Sequence, residues 1–207
     1  MVNTFLVHSD YRKSAHQLDS RRLGKQRVEA YQILSLIQNI RLLSQASGIL
    51  PSTSDFQQFV RQIKKWYTNL GILYLLKDDK MIEYHGDKKT KMGPDERLIK
   101  MGFCNHPAVE MWYGYEDALM EYIDAHIEEW IDRGYKNTMK IYGVKAKIHP
   151  KWCDWRELHE NHKGALLKKE LDRLEKPWYQ NKDDFVQVEP FYDYIWVKNI
   201  EFYCKNA

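Results

Sequence analysis

The 207-residue sequence lacks any apolar run approaching the roughly 20 residues that a membrane-spanning helix needs. Its first ten residues lack the basic segment followed by an apolar stretch that is typical of a signal peptide. The three cysteines, Cys104, Cys153 and Cys204, are odd in number and far apart, unlike a disulfide framework. We therefore expect a chain with reduced thiols and no membrane partner, located in an intracellular compartment such as the cytoplasm.

The sequence also lacks internal repeats, a P-loop, a dinucleotide-binding glycine motif, a serine-nucleophile motif and an HExxH zinc motif. Cys153, His159 and His162 carry metal-binding side chains, but their spacing fits no strong zinc pattern and no fourth ligand is evident nearby. Asp19 and Glu29 are too far apart to face each other on one straight helix, which argues against a paired-carboxylate hydrolase. We expect neither a metal nor a cofactor.

Hydrophobic residues make up 43% of the chain and charged residues 29%, which is ordinary for a globular protein. Apolar residues recur at helical spacing in four stretches, and they predict a mainly α, compact, single-domain helical bundle over residues 1–207 with little or no sheet. The predicted helices run over about 14–44 (with a possible break near Gly24), 54–76, 107–134 and 154–175, with a possible strand at 194–197. Residues 77–100 are rich in charge and glycine, which favours a surface excursion or small hairpin.

Charge is unevenly distributed although the formal net charge is only +3. Residues 1–70 contain ten Lys and Arg against four Asp and Glu, whereas residues 101–135 contain eight acids against Arg133 alone. We expect the acids of the third predicted helix to lie on a solvent-exposed face, and the basic part of the chain to bind a polyanion.

A basic cluster stands near the start of the first predicted helix. Lys25 follows Arg21 by four residues and Arg22 by three, so the three cations are neighbours on a helix surface, with Arg27 further round. Such a cluster favours binding of phosphates, for which the planar guanidinium is well suited. The alternative is that Asp19, Glu29 and acids of the third helix neutralise the cluster within the protein. A weaker second patch comprises Arg61, Lys64 and Lys65 beside Trp66 and Tyr67.

Several motifs, in order along the chain, resemble the pyrimidine-dimer DNA glycosylase/AP lyases of phages and chloroviruses, and more closely the bacterial proteins grouped with them. They comprise the start at 3–6, His16 to Leu18, Arg21 to Lys25, Gly102 to Val109, a long helix ending at Arg133 to Tyr135, Ala165 to Lys169, and Lys176 to Tyr179. The resemblance covers most of the chain and implies an insertion within residues 52–100.

The resemblance implies binding to double-stranded DNA and catalysis by the chain's own α-amine. That amine attacks C1′ of a damaged nucleotide, displaces the base through a Schiff base with help from a carboxylate, and permits strand cleavage by β-elimination. The amine belongs to Val2 if Met1 is removed, and to Met1 otherwise. The family's catalytic glutamate aligns with Arg22, so its role would pass to Asp19 or Glu29.

Further residues enter only as candidates for contact with DNA, in a substrate whose damaged base leaves the stack. The resemblance implies such contacts for His16, His106, Trp178 and Tyr179, besides Arg21, Arg22, Lys25 and Arg27. His106, just before Pro107, could instead be a helix cap and a core histidine. Two other functions stay open: a non-catalytic nucleic-acid-binding module that has lost the glutamate, and a domain whose arginines bind a small anionic ligand or a protein.

Overall fold

The computed structural model describes residues 4–51, 55–77, 80–86, 96–173 and 194–197. Within these residues the chain forms six α-helices: α1 (Tyr11–His16), α2 (Ser20–Ser47), α3 (Phe56–Asn69), α4 (Pro107–Trp112), α5 (Glu116–Asp132) and α6 (Arg156–Arg173), with a single 3₁₀ turn at Lys151–Asp154. The three strands are β1 (Leu73–Lys77), β2 (Lys80–Tyr84) and β3 (Glu96–Leu98). They form one small antiparallel sheet in the order β2-β1-β3, in which Leu75 lies opposite both Ile82 and Leu98. The prediction of a mainly α fold with little sheet is confirmed.

The described residues group into two compact units. Of these residues, those up to 34 and from 114 onward form the first unit, and those between 35 and 113 form the second, so that α2 contributes to both. That residues 1–207 form a single domain stays a prediction. So does the insertion within 52–100, a segment that falls in the second unit.

The core of the first unit joins residues that are distant in sequence. Phe5 and Val7 pack with Leu18, Leu23 and Leu166, and the three leucines are completely buried. Burial of each leucine side chain contributes about 1.5–3 kcal/mol. This cluster therefore ties the N-terminal segment to α2 and α6.

The second unit has an aromatic core of its own. The rings of Phe56 and Phe59 on α3 contact Tyr113 edge to face, with centroids 5.2 and 6.2 Å apart. Ile63 follows on the same face of α3 and is fully buried. Phe56 and Ile63 belong to the apolar stripe, with Val60, Tyr67 and Leu70, whose helical spacing predicts a helix here.

The predicted first helix is divided, but not at Gly24. The chain breaks at residues 17–19, and α2 then runs through Gly24 without interruption. A Cβ at Gly24 would lie 3.0 Å from the Trp130 ring, so glycine allows α5 to approach α2 closely.

Two other helices are shorter than predicted. The second ends at Asn69, because Gly71 adopts a positive φ of 66° and the following residues pair as β1. The third is interrupted between Trp112 and Glu116, where Gly114 has a φ of 90°. The predicted stop at Gly134 is confirmed, since its φ of 82° suits the residue after a helix end.

The fourth predicted helix corresponds to α6, while residues 194–197 contain no strand. Within 77–100, the hairpin expected as one alternative is present as β1 and β2. No helix in the described part of the chain is both long and apolar enough to cross a membrane.

Candidate active site

Buried side chains hold the N-terminal segment, residues 4–7, which forms no helix or strand. The backbone N–H of Phe5 donates to Gln26 Oε1 at 2.8 Å, and that of Leu6 donates to His162 Nδ1 at 2.9 Å. The Tyr122 hydroxyl donates to the Phe5 carbonyl oxygen at 2.8 Å. Because buried backbone groups need such partners, these three side chains determine the path of the segment.

Gln26 also contacts the carboxylate of Glu29. Its Nε2 donates to Glu29 Oε2 at 3.2 Å, while Lys25 Nζ lies 3.5 Å from Glu29 Oε1. The Glu29 side chain is only 8% exposed, whereas that of Lys25 is 64% exposed. Glu29 thus lies in the interior, one side chain away from the backbone of Phe5, and is paired with a lysine that reaches solvent.

Tyr122 belongs to the same network. Its hydroxyl lies 3.1 Å from Gln26 Oε1, in addition to its bond with Phe5. Burial raises the pKa of this hydroxyl, and the nearby negative charge of Glu29 raises it further. Tyr122 therefore stays protonated and serves as a hydrogen-bond donor.

Asp19, the other candidate carboxylate, caps α2. One of its oxygens accepts from the backbone N–H of Arg22 at 2.9 Å, and the other accepts from the Arg22 guanidinium at 2.7 Å. An aspartate at this position satisfies a backbone donor that would otherwise lack a partner at the helix start. Both oxygens of Asp19 are thus engaged in local structure.

The four cations of the basic cluster face different surroundings. Arg21 and Lys25 are exposed on α2, whereas the Arg22 side chain is only 11% exposed. Arg27 is buried: its guanidinium lies 4.0 Å from the centre of the Trp130 ring and donates to Asn137 Oδ1 at 3.4 Å. Burial lowers the pKa of Arg27.

The acids of α5 do not all face water as expected. Glu129 is buried and accepts from Arg133 Nε at 2.7 Å, with His16 Nδ1 3.1 Å away. Arg133 also donates to the carbonyl oxygens of Leu18 at 2.7 Å and His16 at 3.0 Å. The expectation that the acids of this helix lie on a solvent-exposed face was wrong for Glu129 and for Asp124, which is also buried, because both carboxylates pair with segments that pack on α5.

The two histidines named as DNA-contact candidates lie in different units. His16 ends α1 in the first unit with its side chain 66% exposed. His106 caps α4 in the second unit, where its Nδ1 accepts from the backbone N–H of Ala108 at 3.2 Å, and burial lowers its pKa. His106 therefore plays the capping role that was its alternative interpretation. Val2, Trp178, Tyr179 and Cys204 lie outside the described residues.

The cysteine and histidines considered for a metal have other partners. The Sγ of Cys153 lies 3.3 Å from the Tyr11 hydroxyl, and burial raises the pKa of the thiol to about 12. His159 Nε2 donates to the Cys153 carbonyl oxygen at 2.8 Å, while His162 holds Leu6. Across the ranges that the structure describes, no group of three His, Cys, Asp or Glu side chains could hold a metal ion.

Sequence reasoning did not identify Gln26 or Tyr122, and it considered His162 only as a possible metal ligand. Gln26 lies between Lys25 and Arg27 of the basic cluster, and a neutral side chain at that position gives no signal of function. The partners of Phe5 and Leu6 are 117 and 156 residues away, so no local pattern could indicate them.

The fold and this network define a mainly α-helical protein in which a buried carboxylate, an exposed lysine and the N-terminal segment meet in one unit. The family model for pyrimidine dimer DNA glycosylases matches residues 2–143 of the chain. The chain therefore belongs to the pyrimidine dimer DNA glycosylase family, whose substrate is DNA. No curated protein and no solved structure matches it.

Proposed function

We propose that the protein is a DNA glycosylase that acts on a damaged base in double-stranded DNA through its N-terminal amine, with Glu29 as the assisting carboxylate. The observation that carries this proposal is the pair of hydrogen bonds made by Gln26, one to the backbone of Phe5 and one to Glu29. They couple the carboxylate to the segment that bears the amine.

Covalent geometry limits how far the amine lies from this network. Val2 precedes Phe5 by three residues, and three residues span at most about 11 Å. Met1, if retained, moves the amine one residue further. The amine is thus held by covalent bonds near Phe5, which Gln26 links to Glu29, whereas Asp19 is occupied as the cap of α2.

The chemistry follows from the groups present. An α-amine has a pKa near 8, so a fraction of it is neutral and nucleophilic at neutral pH. Its nitrogen attacks C1′ as the bond between C1′ and the base breaks, and the base leaves with the bonding electrons. The sugar ring then opens, with its oxygen taking a proton, to leave an imine between the amine and C1′. The Glu29 carboxylate, paired with Lys25, stabilises the positive charge that develops at C1′.

Strand cleavage can follow from the same intermediate. The imine withdraws electrons from C2′, so that a proton is lost there and the bond from C3′ to its phosphate oxygen breaks. The exposed cations Arg21 and Lys25 hold flanking phosphates during these steps, without reading base sequence.

Borohydride trapping on duplex DNA tests this proposal, because reduction of the imine links protein and DNA permanently. We expect trapping on a duplex with an abasic site, and on one with a pyrimidine dimer, between pH 6 and 9. Acetylation of the N-terminus should abolish it, and the intact mass of the protein shows whether Met1 or Val2 carries the amine.

A matched pair of variants separates the two carboxylates. Glu29→Gln removes the charge beside the N-terminal segment and should slow trapping at least about 100-fold. Asp19→Asn makes the same change at the cap of α2, where asparagine caps as well as aspartate, and should alter the rate by less than about threefold. Loss of trapping with Asp19→Asn alone would show that Asp19, and not Glu29, is the assisting carboxylate. Salt-sensitive DNA binding without any trapped species would instead indicate a non-catalytic DNA-binding module.

A further inference from the structure

A lysine-rich segment follows α5, and its lysines take no part in the site described above. Residues 134–153 contain five lysines and neither Asp nor Glu. Residues 136–149, called here the lysine ribbon, form no helix or strand, yet they are anchored along α5 at several points.

Two carboxylates of α5 provide the central anchors. Asp124 is buried and accepts the backbone N–H groups of Tyr142 at 2.9 Å and Gly143 at 2.7 Å. Glu121 accepts from the backbone N–H of Ala146 at 3.1 Å and from His149 Nε2 at 2.9 Å. Asp124 is therefore engaged with the backbone of the ribbon, whereas Glu121 also neutralises Lys145, whose Nζ lies 3.3 Å from its Oε1.

Hydrogen bonds hold Glu121 in its charged form. Burial alone would raise its pKa, but the bonds from the Ala146 backbone, His149 and Lys145 outweigh that effect and lower the pKa. The anchor is thus an ionised carboxylate, for which hydrogen bonds are stronger than between neutral groups.

The lysine ribbon begins next to the part of α2 that carries the basic cluster. Trp130 Nε1 donates to the Lys136 carbonyl oxygen at 3.1 Å, and the Trp130 ring stacks on Tyr135. Arg27, two residues after Lys25 on α2, covers the same Trp130 ring and bonds Asn137. The basic cluster on α2 and the start of the lysine ribbon are therefore joined by direct contacts within the first unit.

Side chains alternate along the ribbon as in an extended chain. From residue 141 to 147, odd-numbered residues are exposed and even-numbered residues are half-buried towards α5. Lys145 and Lys147 thus lie on the outer side, about 7 Å apart. Within the part of the chain that is described, Lys136, Lys140 and Lys147 have no carboxylate at ion-pair distance.

We infer that the lysine ribbon is a second DNA-contact surface, which holds the phosphate backbone of the duplex beyond the damaged nucleotide. This inference rests on the proposed DNA substrate and extends it. A row of exposed lysines with no acid between them favours a linear polyanion, and lysine contacts to phosphate add affinity without reading sequence.

The test measures binding of the full-length protein to an undamaged duplex over a range of salt concentrations, so that no chemistry is involved. The double variant Lys140→Gln/Lys147→Gln should lower the slope of log affinity against log salt by about 2, and the affinity at 0.1 M salt by about 60-fold. The variant Lys140→Arg/Lys147→Arg should retain the wild-type slope. Lys80→Gln, which removes an exposed charge from β2 in the second unit, should leave it unchanged.

An unchanged slope in the double glutamine variant, folded as judged by its thermal unfolding, would overturn the inference. So would weaker binding to phosphatidylserine vesicles together with unaltered binding to the duplex. The proposed chemistry is judged separately, by borohydride trapping of the wild-type protein. If the wild type is trapped but the double glutamine variant keeps the wild-type slope, only the inference about the lysine ribbon is refuted. If the wild type is not trapped but the variant has a lower slope, only the proposed glycosylase chemistry is refuted.

Discussion

Gln26 offers a direct test of the network that joins Glu29 to the N-terminal segment. The substitution Gln26→Glu keeps the shape of the side chain and its ability to accept from the Phe5 N–H, but replaces the amide that donates to Glu29 by a second carboxylate. Two negative charges about 3 Å apart interact by about 5 kcal/mol at an effective dielectric constant near 20. Lys25, which is mostly exposed, offsets part of this, leaving a cost of about 3 kcal/mol.

The pH dependence of this cost has a definite sign. Like charges at this distance favour a shared proton, so that one carboxyl of the pair has a raised pKa in the folded protein. A raised pKa means that stability is present at low pH and is lost as pH rises through the folded value. Relative to wild type, the Gln26→Glu protein should be about 3 kcal/mol less stable at pH 8 and within about 1 kcal/mol at pH 5.

Urea denaturation at the two pH values measures this difference. With a slope near 2 kcal/mol per molar urea, the midpoint of the variant should fall by about 1.5 M at pH 8 and much less at pH 5. Gln32→Glu makes the same change on an exposed position of α2, three residues after Glu29, and should shift the midpoint little at either pH. Equal deficits at both pH values would show that Gln26 and Glu29 do not face each other in solution.

Two further predictions concern the side chains that hold the N-terminal segment and the ribbon. Burial lowers the pKa of His162 to about 3, so below pH 6.5 the unfolded chain binds a proton that the folded chain does not, and stability falls as pH falls. His162→Asn, whose amide oxygen can still accept from Leu6, should make the free energy of unfolding less dependent on pH, by about 1.4 kcal/mol per pH unit between pH 6 and 4. If urea denaturation shows the same loss of stability with falling pH in the variant as in the wild type, the prediction is contradicted. Asp124→Ala removes the acceptor of two backbone N–H groups and should cost about 2–4 kcal/mol and speed proteolysis within residues 136–149. Glu128→Ala, which alters an exposed acid one turn along α5, is its control, and equal proteolysis of the two variants would argue against the anchor.

Local rules predicted the helices better than their ends. Pro107 and Gly134 were correctly taken as a start and a stop, because each has a conformation that suits its position. The break at Gly114 was missed, since apolar residues continue at helical spacing on both sides of it. Gly24 was taken for a weak point, whereas its lack of a side chain serves the contact with Trp130.

Charge patterns were less informative about side-chain surroundings. The basic cluster consists of four cations that are close together in the sequence and carry the same charge. The side chains of Arg22 and Arg27 nevertheless turn inward, whereas those of Arg21 and Lys25 are exposed. The segregation of basic and acidic residues suggested one binding face, but it did not show which cations reach solvent. That depends on partners such as Asp19 and Trp130, and on how closely α5 approaches α2.

The amino-acid sequence by itself determined the helical class of the protein and its family, since apolar periodicity and the order of motifs are local properties of the chain. It left Asp19 and Glu29 as equal candidates. Only the tertiary structure gave them different surroundings, because the contacts that link Glu29 through Gln26 to Phe5 and Tyr122 span separations of up to 117 residues. A helical repeat tells which face of a helix is apolar, but not which distant side chain will meet it.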